Sequence, residues 1–164
     1  MKKDMCVACD NGILNIRVGA IIMKDDKILM VGDDRADYLY SVGGRVQFGE
    51  TAEEAVVREV FEETGVKMEI DRLGFVQENY FYGDAPSKQG KLVYEICSYF
   101  YMKVPGDFTP VSESFTEGTS RAYLRWVSLD ENRKVYPEFF RTELRNPANT
   151  VKHFVTDGRG VRND

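Results

Sequence analysis

The chain has 164 residues, 43% hydrophobic and 30% charged, with 22 Lys and Arg against 27 Asp and Glu for a net charge of −5. That length suits one domain that buries roughly two-thirds of its unfolded surface, and the apolar and aromatic content excludes a disordered chain. No apolar run approaches the ~20 residues of a membrane span, and the acidic balance speaks against bulk nucleic-acid binding while allowing a small phosphorylated ligand.

Two lysines open the chain, but Asp4, Cys6 and Asp10 stand where a secretory apolar stretch would be, so no signal peptide is expected. Cys6 and Cys9 form a C-x-x-C, and Cys97 is the third cysteine. The odd count predicts reduced thiols in a cytosolic, cytoplasmic protein. A zinc site would need Cys97 and His153 as remote ligands, and no strand precedes the pair as in a redox motif, so residues 1–12 are expected to be a mobile N-terminus. His153, the lone histidine, reads as a surface or packing residue.

Leu14 to Met23 is rich in β-branched residues and predicts a strand; Lys24-Asp25-Asp26 predicts a turn and Lys27 to Val31 the returning strand of a hairpin. A polar loop, Gly32 to Asp37, leads to a short strand over Tyr38 to Val42 and a glycine-containing loop over Gly43 to Glu50. Ala52 to Thr64 predicts a helix. Ile70 to Tyr82 and Leu92 to Val104 predict long strands on either side of the turn-rich Gly83 to Gly90. Arg121 to Leu129 predicts another strand, Tyr136 to Leu144 a second helix stopped by Asn146-Pro147, and Asp157 to Asp164 a frayed tail. Hairpins mixed with isolated helices give an α+β fold of a single domain, its core at about residues 14–145.

The first helix carries the chemistry. Thr51 and Glu54 form a capping box, and Gly65 suits the left-handed residue after the last turn. At about 100° per residue, Val56, Val57, Val60 and Phe61 share a core-facing stripe, while Glu59, Glu62 and Glu63 share another arc with only Ala52 and Ala55. Carboxylates at that spacing repel unless something cationic sits among them, and their oxygens suit a hard divalent ion, Mg²⁺ or Mn²⁺, with room left by the alanines. A solvated acidic face is the alternative reading of the helix alone. Arg58 is placed to hold a glutamate in a bidentate pair.

The preceding loop narrows the choice. Gly44, Glu50, Arg58, Glu59, Val60, Glu62, Glu63, Gly65 and Val66 together spell G-x5-E-x7-R-E-V-x-E-E-x-G-V over 23 residues. This resembles the Nudix hydrolase family and fills every fixed position of its signature; a weaker resemblance, including Arg125-Trp126-Val127, extends over about residues 14–145. One departure is Val42 where the family often has proline, which relaxes the loop without removing a ligand.

The resemblance implies an α/β/α sandwich around a mixed sheet and a metal-assisted hydrolysis of a nucleoside diphosphate linked to another moiety. It implies Glu59 and Glu63 as the principal Mg²⁺ ligands, Glu62 as a further or water-bridged ligand, and the carbonyl of Gly43 or Gly44 completing the shell. Arg58 is expected to orient Glu59, and Glu50 and Gly65 to support the motif. Glu59 is the first choice of general base, with Glu113 or Glu117 in a later loop as the alternatives. A cation is needed because a pyrophosphate repels its nucleophile, and metal-bound water ionises near neutrality.

Substrate reading is weaker. Tyr80 and Tyr82 lie at a strand end where aromatic faces could stack on a base, and a tyrosine near the position of Tyr82, sixteen residues past Val66, occurs in the family's diadenosine polyphosphate hydrolases. Arg35, Arg45 and Lys91 are candidate phosphate contacts, and Tyr38 and Tyr40 candidates for the opposite wall. The expected partner is a small nucleotide-type substrate, a nucleotide, nucleotide sugar or dinucleoside polyphosphate, with no nucleic acid and no membrane; a homodimer stays open. The rival readings are a non-catalytic nucleotide sensor, which would usually have lost a signature glutamate, a C-x-x-C metal or redox module, and an RNA-cap hydrolase, disfavoured by the acidic charge.

Overall fold

The computed structural model describes residues 1–112, 114–117 and 120–160, with 115–117 and 120 by backbone alone. The strands are β1 (Cys6–Cys9), β2 (Gly12–Ile21), β3 (Met23–Lys24), β4 (Lys27–Asp33), β5 (Leu39–Arg45), β6 (Glu69–Tyr82), β7 (Leu92–Lys103), β8 (Ser114–Glu117), β9 (Ser120–Ser128), β10 (Val135–Tyr136) and β11 (Lys152–Asp157). Helix α1 spans Ala52–Thr64 and α2 spans Phe140–Glu143. The strands join in a mixed sheet ordered β11-β6-β7-β2-β5-β4-β9-β8, with β2/β7 and β11/β6 parallel and the other pairs along that path antiparallel. None of the helices described is long and apolar enough to cross a membrane.

The sheet forks at β5. Its residues Val42–Arg45 pair with β2, while Tyr40 and Ser41 pair with β4. The fork has a cause in sequence. Gly43 has φ +149, and a Cβ there would overlap the carbonyl oxygen of Val18, so only glycine lets the strand pass so close to β2. The expected glycine loop is therefore strand through Arg45.

Two cores form, one on each face. Val18 and Ala20 of β2 and Ile22 just after it pack with Val42 of β5 and with Ala55, Val56 and Val60 of α1. Ile21, Leu39, Cys97, Tyr99 and Phe75 pack with Phe140 and Leu144 on the other face. Each valine that α1 buries completely stabilises by about 1.5–3 kcal/mol. Because side chains alternate along a strand, Val18 looks toward α1 while Arg17 and Asn15 look the other way.

Several expectations hold. The first hairpin turns on Asp25 and Asp26, both at positive φ (50 and 59), as a twisted two-residue turn requires. The capping box is formed in both directions, Glu54 N donating to Thr51 Oγ1 at 3.1 Å and Thr51 N to Glu54 Oε2 at 2.8 Å. Gly65 sits at φ 75 with its N–H bonded to Phe61 O at 2.8 Å.

Others are corrected. The N-terminus is tied down: β1 pairs with β2, Met5 N bonds Val46 O at 2.7 Å, and Phe48 N bonds Lys3 O at 2.8 Å. Cys6 and Cys9, three residues apart on one strand, point to opposite faces with Cα atoms about 10 Å apart, which suits neither a shared metal nor a disulfide. The second helix is short because Val135 and Tyr136 are taken as a strand by Leu39 and Tyr40. The stretch from Pro147 to Thr156, for which no element is expected, runs into β11, a parallel edge strand that pairs with β6 over Phe75 to Tyr80 and takes in Asp157, the first residue of the expected tail.

Candidate active site

The signature loop and α1 are locked by Arg58. Its Nε donates to Glu50 Oε2 at 3.0 Å and its NH2 to Glu50 Oε1 at 2.6 Å, while NH2 also reaches Arg45 O at 3.0 Å. Gln47 N donates to Glu50 Oε1 at 2.7 Å, which closes the loop on the same carboxylate. Held by the Arg58 guanidinium, the Glu50 carboxyl lies below the usual carboxylate range. The same pairing raises Arg58, which stays charged at any working pH.

The remaining guanidinium nitrogen faces the acids. Arg58 NH1 lies 2.7 Å from Glu59 Oε1 and 3.3 Å from Glu62 Oε2, so one cationic nitrogen stands between two carboxylates of the helix. The acidic arc is not a solvated face. The side chain of Glu59 is 14% exposed and Glu63 is 9% exposed as a residue, whereas the side chain of Glu62 is 55% exposed. The buried stripe of α1 runs through Ala55, Val56, Val60, Glu63 and Thr64, turned away from the expected Phe61, which is 46% exposed. Ala55, expected beside the acids as open room, is core.

Burial pushes the Glu59 carboxyl above its ordinary value, against the opposing pull of Arg58. Glu59 comes so close to β5 that a Cβ at Gly44 would overlap its carboxylate. A buried carboxylate thus rests on bare backbone whose carbonyls are also hard oxygen donors, a donor set in keeping with a hard divalent cation. Among the described residues no three acidic, histidine or cysteine side chains are already gathered as a metal centre. Arg58, not convergence on one point, organises the carboxylates here.

The sequence candidates divide into two groups. Gly43, Gly44, Glu50, Arg58, Glu59, Glu62, Glu63 and Gly65 share the α1–β5 corner, with Arg45 at its edge, 3.6 Å from Asp4. Tyr80 lies elsewhere: it stacks on Tyr94 at 4.4 Å with Arg159 over its ring, and the Tyr82 hydroxyl donates to Arg159 O at 3.4 Å. Three strands and four residues of register separate Tyr80 from Gly44, roughly 20 Å. Tyr38 packs edge-on against Tyr136, Tyr40 against the α1 core, and Arg35 pairs with Asp33. Lys91 is exposed in the 83–91 turn. His153, Nε2 2.6 Å from Glu78 Oε2, fastens β11 to β6. Glu113 lies outside the described residues, and of Glu117 only the backbone, paired with Ser120, is described.

Sequence reasoning missed a polar group on the opposite face of β2. Asn15 and Arg17 look away from α1, beside Glu95 on β7 and Arg45 on β5. The only signal was two polar residues at alternate positions of an otherwise apolar strand.

Comparison with known proteins agrees with this geometry. The NUDIX domain model matches residues 14–146. A putative 8-oxo-dGTP diphosphatase of Bacillus subtilis (strain 168) is 29% identical over 140 residues, covering 80% of this chain and 83% of its own. An ADP-ribose pyrophosphatase of Methanocaldococcus jannaschii is 43% identical over 61 residues, 35% of this chain and 36% of its own. Among solved structures, a MutT protein from Bacillus halodurans superposes with a TM-score of 0.61 at 21% identity, covering 86% of this chain and 90% of that one, a likeness of fold. With its signature intact and a family model spanning most of its length, the chain belongs to the NUDIX domain family and is a hydrolase of phosphoric anhydrides.

Proposed function

We propose that the protein hydrolyses the pyrophosphate bond of a nucleoside diphosphate linked to another moiety, with Mg²⁺ as its ion and Mn²⁺ as a substitute. The observation that carries this reading is the Arg58 lock, which holds Glu50 with one side of its guanidinium and presents Glu59 beside the backbone of Gly44 with the other. Glu59, Glu62 and Glu63, with a carbonyl of Gly43 or Gly44, would hold the ion. When bound, the ion neutralises the pyrophosphate and lowers the pKa of water.

The chain's own residues supply the rest. Arg58 fixes the Glu59 rotamer and is positioning rather than proton-carrying, since it stays charged. Glu59, its carboxyl raised by burial, is assigned as the general base. Arg45, at the rim, is assigned to the substrate phosphates. Relatives named for 8-oxo-dGTP and for ADP-ribose bracket the substrate class without choosing within it.

The test is phosphate release, coupled to a phosphatase, over a panel of nucleotides, nucleotide sugars and dinucleoside polyphosphates with Mg²⁺ and with EDTA. Turnover is expected with Mg²⁺ alone, and Glu59→Gln is expected to lower it by at least about a hundredfold, the scale of a lost acid–base group. Full activity of Glu59→Gln would remove Glu59 from its role. Binding of nucleotides without any turnover would favour a sensor.

A further inference from the structure

β11 stands at one end of the sheet order and has one neighbouring strand among the described residues, β6. Their register decides which backbone groups of β11 are used. Gly158 N donates to Tyr80 O at 2.7 Å, and in a parallel pair alternate residues turn both N–H and C=O to the same side. Lys152, Phe154 and Thr156 therefore bond β6, while His153, Val155 and Asp157 turn their backbone groups outward. All three of these residues are exposed, Val155 to 62%.

Natural sheets blunt such an edge with a proline, a bulge or an outward lysine. β11 uses none of these. Its sequence, Lys-His-Phe-Val-Thr-Asp, has no proline, and its register against β6 runs unbroken. Lys152 is drawn aside to Glu143, Nζ to Oε2 at 2.5 Å. The strand is also firmly seated: Phe154 stacks on Phe139 at 4.3 Å, and Gln77 Nε2 donates to Thr156 Oγ1 at 3.0 Å.

The sequence of β11 is complementary to itself. A two-fold axis normal to the sheet sets a second β11 antiparallel to the first, and opposed residues then share a face. One register engages His153, Val155 and Asp157 of both strands, the one centred on Val155. Val155 then meets the partner's Val155, and His153 meets the partner's Asp157 twice over. Each of these pairs exchanges two backbone bonds, about six in all. His153 already holds Glu78 through Nε2, which leaves Nδ1 for the carboxylate of the partner's Asp157, itself oriented by Arg159. On the other face Phe154 lies opposite Thr156 and Lys152 opposite Gly158, so no like charges meet. A slip of one residue in each strand sets Val155 against His153 or against Asp157, and the apolar match is lost.

We propose that β11 is the pairing edge of a symmetric dimer of this chain, antiparallel and centred on Val155, which joins two sheets into one. A single strand pair is small against the roughly 1,200 Å² of a standard interface, so the association is weak and concentration-dependent. Three strands stand between β11 and β5, so each catalytic corner stays open in the dimer.

Sedimentation equilibrium of the full chain in reductant, from about 1 to 500 μM, is expected to show the mass rising from one chain toward two. Val155→Lys sets two ammonium groups together at the axis. Val155→Pro removes an outward N–H and leaves the bonds to β6 in place. Each is expected to move the midpoint up in concentration at least about tenfold, with turnover per chain unchanged. The register is read by cross-linking in a Cys6→Ser, Cys9→Ser background. Val155→Cys sets two thiols on residues with Cα atoms about 5.5 Å apart, and a mild oxidant is expected to join the chains. Thr156→Cys, opposite Phe154 of the partner, is expected to stay unlinked. A single chain at every concentration would overturn the pairing and leave this edge to a strand of another protein. A dimer that withstands both Val155→Lys and Val155→Pro, and that Val155→Cys does not link, would overturn it equally by placing the interface elsewhere.

Discussion

The carboxylate of Glu59 lies where the Cβ of any other residue at position 44 would be, so the glycine of β5 and the glutamate of α1 share one volume. Gly44→Ala is therefore a substitution against the active site rather than against the fold. Position 44 has no positive φ to forbid alanine, and the obstruction is the end of a side chain. Glu59 must swing aside, breaking its 2.7 Å bond to Arg58 NH1. Turnover is expected to fall at least tenfold while the cost in stability stays at about 1–3 kcal/mol, the range for overpacking. Steady-state kinetics beside a urea melt separates the two. By contrast, an alanine at Gly43 meets the Val18 carbonyl, a backbone group, and should be found mainly in the insoluble fraction.

Glu50 and Arg58 make the acid limb of stability. The Glu50 carboxyl is held down by the guanidinium, so its folded pKa lies below its unfolded one. The unfolded state then takes up protons first, and the pair's contribution is complete above the unfolded value of about 4.3, then lost as pH falls through the folded value. Glu50→Gln is expected to cost about 1–3 kcal/mol at neutral pH, as for a lost hydrogen bond between charged groups. The difference from the parent should shrink as pH falls below the unfolded value and through the lower folded one. Thermal melts from pH 7 to 3 read this directly, and a constant difference would assign the loss to packing.

What was legible in the sequence was local. The capping box, the left-handed Gly65 and the Asp25-Asp26 turn each depend on a few consecutive residues, and all stand as read. The signature placed Glu50, Arg58 and Glu59 together for the same reason: eight and one residues of separation across a loop and a helix leave little freedom. What failed depends on partners far away in sequence. No element was expected between Pro147 and the tail at Asp157, yet Lys152–Asp157 becomes strand because β6 offers it an edge. The stripe of α1 turned from Phe61 toward Glu63 because paired glycines in β5 let the helix come near on the glutamate side. Asn15 and Glu95, 80 residues apart, carried no mark of their contact.

Tyr80 is a case where residue type suggested a role that position does not support. An aromatic cluster at a strand end invites a stacking platform, yet the ring is stacked on Tyr94 and covered by Arg159. Tyr80→Ala is expected to leave KM within about twofold of the parent for every substrate turned over, and to cost about 0.5–1.5 kcal/mol beyond lost area through the missing ring pair. A tenfold rise in KM for one nucleotide would move the substrate across the sheet.

The three cysteines should behave as three different thiols. Cys97 is wholly enclosed in the core beside Tyr99, and burial pushes its thiol up to about 12, so at pH 8 fewer than about one molecule in a thousand carries a thiolate there. Cys9 is exposed and Cys6 partly so, on opposite faces of β1. A thiol reagent at pH 8 is expected to label Cys9 fastest and Cys6 more slowly, and Cys97 only when urea opens the core. An oxidant should give intermolecular products through Cys9 rather than a Cys6–Cys9 bridge, because about 10 Å of extended strand separates the pair and β1 would first have to leave β2. Mass spectrometry of the oxidised, digested protein decides it: a Cys6–Cys9 link formed without loss of β structure would mean that the N-terminal strand detaches readily, and the thiol pair would then have to be reconsidered as a redox element.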